Sequence, residues 1–220
     1  MLRFRIKEIV NMKSKILCFI IMLCSVFLLQ AQDMRPMENQ KDFFIKLKNV
    51  SASTKSIKAD FTEEKFLAAL KQPQKSSGVF YYEKEDKIRW EQNLPFQYII
   101  MINKDKIRIK ENEKEKDVTA AKRMVEKIKE LLLMLVSGTY LENKTFAAEY
   151  FENNKEYIVV LTPTQKKLKN YFDKIQLNFS KETIHLNDLI FFEHSGDKST
   201  MKFVKQRFNE EINDDVFSKF

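Results

Sequence analysis

The sequence predicts a mainly antiparallel β protein of about ten strands, with one N-terminal helix and one central helical insertion. Three observations carry this. Apolar and polar residues alternate with period two in segment after segment between Ile57 and Phe208, the pattern of half-buried strands. Short polar runs such as Asn103-Lys104-Asp105 separate those segments, as in a meander of hairpins. The apolar spacing changes to three and four residues in only two places, 37–50 and 119–137. A chain of 220 residues, 44 % apolar, is long enough to bury one core. With 19 Phe and 3 Gly, many turns must be built from Asn, Asp, Ser or Lys.

Residues 1–31 read as a cleaved secretory signal rather than as part of the fold. Ile16 to Leu29, "ILCFIIMLCSVFLL", is 14 residues long and interrupted only by Ser25; a membrane span needs about 20. Lys13 and Lys15 precede it and Ala31 follows, the order of a basic, an apolar and a small-residue region. Leu29, three residues before the expected cut, departs from the small-residue rule, and Met12 is an alternative start. Cys18 and Cys24, the two cysteines, lie inside this stretch. A lipidation signal needs a small residue before the modified Cys, and Leu17 and Leu23 stand there instead. The export product, 32–220, is expected to be a single domain with no disulfide, thiol nucleophile or Cys metal site.

Arg3, Arg5, Lys7, Lys13 and Lys15 against Glu8 give the first 31 residues a net +4; the whole chain has +8, so +4 remains. The remaining lysines are interleaved with acids, as in "EKEDK" and "KENEKEKD". That is a solvated mixed surface and not a nucleic-acid stripe.

Along the export product, Met37 to Val50 reads as a helix with Phe43, Phe44, Leu47 and Val50 on its apolar stripe, ended by "SASTKS". Ile57, Ala59 and Phe61 then alternate; Phe66, Ala68 and Leu70 continue with opposite parity, which predicts a bulge or bend between Phe61 and Phe66, with a helix over Glu63–Leu70 as the alternative that composition allows. "KQPQKSSG" (Lys71–Gly78) reads as a turn. Strands follow at Val79–Tyr82 and Lys87–Gln92. If Lys84 belongs to the strand, it shares a face with Ile88 and Trp90. Phe96–Ile102 comes next, apolar on both sides, with Phe96, Tyr98, Ile100 and Ile102 on one and Ile99 and Met101 on the other. Lys106–Lys110 closes this first set. Thr119–Ser137 reads as a helix whose end, "LLLMLV", is apolar all round. Five more alternating segments follow: 145–151, 156–162, 174–179, 183–192 and 200–208. The tail ends "DDVFSKF".

Catalytic motifs are missing. There is no G-x-S-x-G elbow and no Gly-rich phosphate loop. His185 and His194 are nine apart without metal-ligand spacing and read as exposed strand or turn histidines. Glu63, Glu64, Asp86 and Glu91 read as surface carboxylates. No cofactor and no enzymatic activity are expected. Two readings of the apolar excess stay open from the residues alone. A curved sheet of about ten strands either fills its concave side with side chains or leaves space for a ligand beneath helices laid across it.

The segment "ADFTEEKFLAALKQPQKSSGVFYYEKEDKIRWEQNLPFQYIIMINKDKI" resembles the LolA-type periplasmic carriers of lipoproteins. It follows their F-T-Q strand, small-Gly-x-aromatic strand, Arg-Pro-x-x-x-x-Trp strand, Pro, and apolar strand ending in a polar-Gly-Asp-Lys turn. "YIVVLTPTQKKLKNYFDKIQLNFS" and "TMKFVKQRFNEEINDDVF" resemble the later strands of the same family, so the resemblance covers roughly 40–217. It implies an incomplete, unclosed antiparallel β-barrel with helices forming a lid over an apolar cavity. It further implies a monomeric periplasmic protein that binds the acyl chains of lipoproteins, takes them from an inner-membrane lipoprotein-releasing ABC transporter and moves them toward the outer membrane. A LolA-like lipid or lipoprotein sensor, or a glycolipid or pigment carrier, is the alternative. On this resemblance Trp90 and Ile88 line the cavity, with Tyr98 and Ile100 beside them and Leu132 and Leu135 from the central helix. Lys84 stands where the family has an arginine that ties the lid to the barrel, and Glu85 where it has proline. Lysine keeps the charge and loses the planar fork.

Overall fold

Alternation between Ile57 and Phe208 places one residue of every pair on the same side of a single sheet, and the fold keeps that side continuous. The computed structural model describes residues 34–118 and 145–220. In chain order the elements are β1 (Arg35–Pro36), α1 (Gln40–Ser53), β2 (Ser56–Phe66), β3 (Gln74–Glu83), β4 (Lys87–Leu94), β5 (Tyr98–Asn103), β6 (Lys106–Glu111) and β7 (Lys114–Lys116). After 144 come β8 (Phe146–Glu152), β9 (Glu156–Pro163), the one-turn helix α2 (Lys166–Lys169), β10 (Phe172–Ser180), β11 (Leu186–Glu193), β12 (Lys198–Phe208) and a 3₁₀ turn, Asp214–Phe217. The twelve strands form one unclosed sheet in the order β1-β8-β9-β10-β11-β12-β2-β3-β4-β5-β6-β7. Every pairing is antiparallel. The expected helix at 119–137 lies outside the described residues, as do 1–33.

Register carries the inner face across the sheet. Val159 pairs with Leu177, Leu177 with Leu189, and Leu189 with Met201. Phe203 pairs with Phe61 and Phe61 with Gly78. Phe80 pairs with Trp90, Trp90 with Ile100, and Ile100 with Ile109. Two apolar clusters result. Phe43, Leu47, Val159, Leu161, Ile175, Leu177, Phe179 and Leu189 belong to the first; Phe61, Phe80, Tyr82, Ile88, Ile100 and Ile102 form the second. α1 covers only the first.

Three successive hairpin turns are made without glycine, in keeping with its scarcity. Glu85 and Asp86, Lys104, and Asn112 and Glu113 take positive φ in three successive hairpin turns, the conformation that matches the twist of the flanking strands.

Several expectations are corrected. β2 runs unbroken through Phe66 and pairs with β3 without a register shift. There is no bulge between Phe61 and Phe66, and Phe66 points outward because its parity differs from that of Phe61. The irregularity falls instead in β12, between Val204 and Arg207, where Lys205 has φ 51°. β3 begins at Gln74, so the turn is shorter than Lys71–Gly78. Lys84 is not in a strand: the last β3–β4 pair is Glu83 with Lys87, and Lys84 lies in the turn between them. β1 and β7, of two and three residues, are too short to show a period.

The outer face of β4–β6 is covered by the chain's end. Arg89, 8 % exposed, donates to the carbonyls of Val216 at 3.0 Å and Lys219 at 2.7 Å and to Glu91 at 2.7 Å. Asn103 donates to the Phe217 carbonyl at 3.3 Å and Arg108 to that of Ser218 at 2.8 Å. Phe217 is buried, together with Ile99 and Met101 of the outer face. This explains why β5 is apolar on both sides.

Gly78 is where β3 and β4 approach most closely, beside a register shift. A Cβ there would lie 1.9 Å from the Glu91 carbonyl oxygen, whereas one at Gly196 would meet nothing nearer than 3.8 Å. Gly78→Ala is therefore expected to lower stability by about 2 kcal/mol or more, since backbone must move. Gly196→Ala, with φ +88°, should cost only the ~1–2 kcal/mol of a left-handed alanine. Urea unfolding of the two variants reads the difference; equal losses would contradict the close approach.

Candidate functional site

A cavity of about 90 Å³ lies where the two apolar clusters meet, beneath the second half of α1. Its walls come from both halves of the sheet: Ala59, Phe80 and Trp90 on one side, Phe179, Leu189 and Phe203 on the other, with Leu47 and Val50 of α1 above. Ser51, Thr54, His185 and Gln206 supply its few polar groups.

α1 is helical because its sequence holds the pattern and the cap together. Asn39 caps it, its side chain accepting from the Asp42 amide at 3.0 Å. Asp42 and Lys46 pair one turn apart at 2.7 Å, with the acid toward the N-terminus, the favourable order. Phe43 and Leu47, four residues apart, are the buried stripe. Phe43 sits 4.9 Å from Tyr157 and 5.7 Å from Phe179, and Phe44 lies 5.0 Å from Tyr150. The last turn of α1 carries no cation of its own. Lys84 provides one from the β3–β4 turn, its Nζ donating to the Ala52 carbonyl at 2.5 Å. Its backbone amide also donates to the Lys55 carbonyl at 2.9 Å. A cation at a helix C-terminus stabilises it by about 0.3–1 kcal/mol at an exposed site.

Trp90 is half-buried in the cavity wall, against Phe61 at 4.4 Å, Phe80 at 5.9 Å and Phe203 at 6.3 Å. Ile88, Tyr98 and Ile100 belong to the adjoining apolar cluster and stand off the cavity wall. Burial, aided by Glu111, pushes the Tyr98 phenol up. Leu132 and Leu135 lie outside the described residues. Lining residues that the sequence does not single out include Phe179, Ile184, Phe203 and Phe208. Only long-range register brings them to Trp90, and one chain shows no such register. Ile184 has φ 61°, a strained conformation for a β-branched residue, and it is buried in the wall.

His185 is a correction: it is not an exposed turn histidine. It lines the cavity, half-buried, stacked on Phe208 with centroids 3.6 Å apart. His194 is exposed and pairs with Asp173 at 2.8 Å. Glu63 is likewise not a surface carboxylate. It shares the inner face with Phe61, accepts from Ser76 at 2.7 Å and is hydrogen-bonded by the buried Ser199. Glu91 is half-buried on Arg89. Glu64 is exposed, paired with Lys75 at 3.0 Å, and Asp86 is exposed in a turn.

Comparison with known proteins follows from this geometry. The sequence profile described as outer membrane lipoprotein carrier protein LolA matches residues 52–219. The chain belongs to the LolA family. Members of this family are binding and carrier proteins, so the function class is lipid or lipoprotein binding, on a mainly β, unclosed sheet. Solved structures with a similar fold include an uncharacterized conserved protein from Thermus thermophilus (9 % identity, TM-score 0.49, 83 % of this chain and 94 % of that one). A LolA superfamily protein from Nitrosomonas europaea matches at 9 % identity and TM-score 0.43 over 81 % and 97 %. The lipoprotein LppX of Mycobacterium tuberculosis matches at 10 % and 0.43 over 78 % and 96 %. No curated protein matches the sequence.

Burial pushes the His185 imidazole below its usual 6.5. The unfolded chain then binds that proton more readily than the folded one, so stability rises with pH through this window. The contribution is complete above pH 6.5 and is lost as pH falls through the folded value. The urea midpoint is expected to fall between pH 7 and about 5, and His185→Gln should flatten that part of the profile. An unchanged pH profile in the variant would contradict the burial of a neutral imidazole.

Proposed function

We propose that this chain is a periplasmic carrier that holds the acyl chains of lipoproteins between α1 and the inner face of the sheet. In this reading residues 1–31 are a signal removed on export. The exported monomer loads at an inner-membrane lipoprotein-releasing ABC transporter and unloads toward the outer membrane. The observation that carries the reading is an apolar cavity roofed, among the described residues, by α1, with Trp90 in its wall and Lys84 fastened to the last turn of that helix. Family membership over residues 52–219 supports it.

Cavity size decides how loading must work. About 90 Å³ is less than the ~150 Å³ that admits one benzene, so an acyl chain does not fit the present arrangement. An acyl chain enters only if α1 shifts away from Phe179 and Tyr157. Each buried CH₂ of the chain then gains about 0.8 kcal/mol, which offsets the contacts α1 gives up. Lys84 is the latch in this scheme. Its ammonium holds one carbonyl where a guanidinium would fork to several, and the latch is correspondingly easy to open. Ile88, Tyr98, Ile100, Leu132 and Leu135 complete the expanded wall.

Adding a triacylated peptide is expected to change Trp90 fluorescence saturably. Lys84→Ala should raise the apparent affinity about two- to fivefold, in keeping with a lost interaction of about 0.3–1 kcal/mol. A Trp90 signal indifferent to every acylated ligand would overturn the assignment in favour of a filled core.

A further inference from the structure

The two ends of the sheet differ in a way the carrier reading does not use. The connections β2–β3, β4–β5, β9–β10 and β11–β12 all lie at the end away from Lys84, as the pairings Phe66–Lys198, Leu94–Ser77 and Phe172–Glu193 require. Five of the eight large apolar side chains exposed among the described residues stand there: Phe66, Leu70, Leu94, Phe96 and Tyr171, each 48–61 % exposed. Scattered single exposures need no explanation, but such a cluster does.

The connections at this end are mostly basic, and the exposed carboxylates of the adjoining strand ends, Asp173 and Glu64, are paired with His194 and Lys75. The runs 67–73, 93–97 and 163–171 hold four lysines and no carboxylate. Lys71, Lys166 and Lys169 are exposed. The two remaining connections there hold one acid each. Asp197 is turned onto the Ala68 amide at 2.9 Å, which leaves Glu113. At the opposite end Glu85, Asp86, Asp105, Glu182, Glu210 and Glu211 are mixed with lysines.

The tips are also held in place. Tyr171 accepts from the His194 amide at 3.0 Å, Gln97 from the Asn112 amide at 3.0 Å, and Phe96 from the Gln92 side chain at 3.1 Å. Apolar groups fixed on several separate turns suit a fluid surface that needs no shape complement. The surrounding lysines select an anionic one. We infer that this end of the sheet docks on an anionic lipid bilayer, with Leu94 and Phe96 entering the acyl boundary and Lys71, Lys166 and Lys169 at the headgroups. The cavity beneath α1 and the Lys84 latch then face away from the contact plane.

The test uses the processed protein purified from the cells that make it. Co-sedimentation is measured with vesicles of phosphatidylethanolamine and phosphatidylglycerol and with vesicles of phosphatidylcholine. Binding to the first and not the second is expected, weakening with added salt. The double variant Leu94→Ser with Phe96→Ser should weaken it at least about tenfold, while the response of Trp90 to a triacylated peptide stays as in the unaltered protein. Unaltered protein that ignores anionic vesicles, or a double variant that binds them equally well, would overturn the inference; in the first case the tips face a protein instead. The Trp90 response belongs to the cavity, so failure of the docking surface and failure of the carrier reading are read separately.

Discussion

The pairing of β12 with β2 is the interaction on which the rest depends. β2–β7 and β8–β12 are each a meander of neighbours in sequence. Only the β12–β2 seam, between strands more than a hundred residues apart, turns two meanders into one sheet. It sets Phe203 opposite Phe61 and so against Trp90 and Phe80. The cavity straddles this seam and takes walls from both sides. A slip of one residue would turn every inner side chain of one half outward, and the apolar clusters would no longer meet. The bulge at Lys205 lets β12 continue to Phe208, which stacks on His185 at the cavity's polar corner.

A sheet left open needs a cover, and here one described helix covers one of two clusters. The first half of α1 is fixed by Phe43 among aromatic rings; its second half roofs the cavity and is fastened at its end by Lys84. The outer face is treated differently. Phe217 and the carbonyls of 216–219 are locked onto Arg89, Asn103 and Arg108. The β4–β6 half is thus buried on both sides, while among the described residues the roof rests on one buried stripe and one exposed ion–dipole contact. Opening at α1 is the motion this distribution of contacts allows most readily.

Much of this was legible in the sequence. Alternation located ten strands to within a few residues, and the scarcity of glycine foretold turns of Asn, Asp or Lys such as that at Lys104, while the left-handed Glu85 and Glu113 were not foreseen. The stripe Phe43–Leu47 gave α1. What was not legible depended on contacts distant in sequence. Phe66 continued an apolar pattern in composition while its parity sent it outward. Lys84 shares the parity of Ile88, yet a hairpin turn breaks the strand before parity applies. His185 and Glu63 looked like surface residues because nothing local shows that Phe208 and Ser199 close over them. The buried outer side of β5 made sense only once the last residues of the chain were seen lying on it.

The central claim is that the space under α1 holds acyl chains. Native mass spectrometry of the protein gently purified from its own cells tests it most directly. The account predicts a population carrying a triacylated N-terminal cysteine species, released when α1 is destabilised by Phe43→Ala. A glycolipid or pigment in its place would keep the container and change the cargo. Protein that is uniformly free of lipid, and that stays so after incubation with an acylated lipoprotein, would contradict the account.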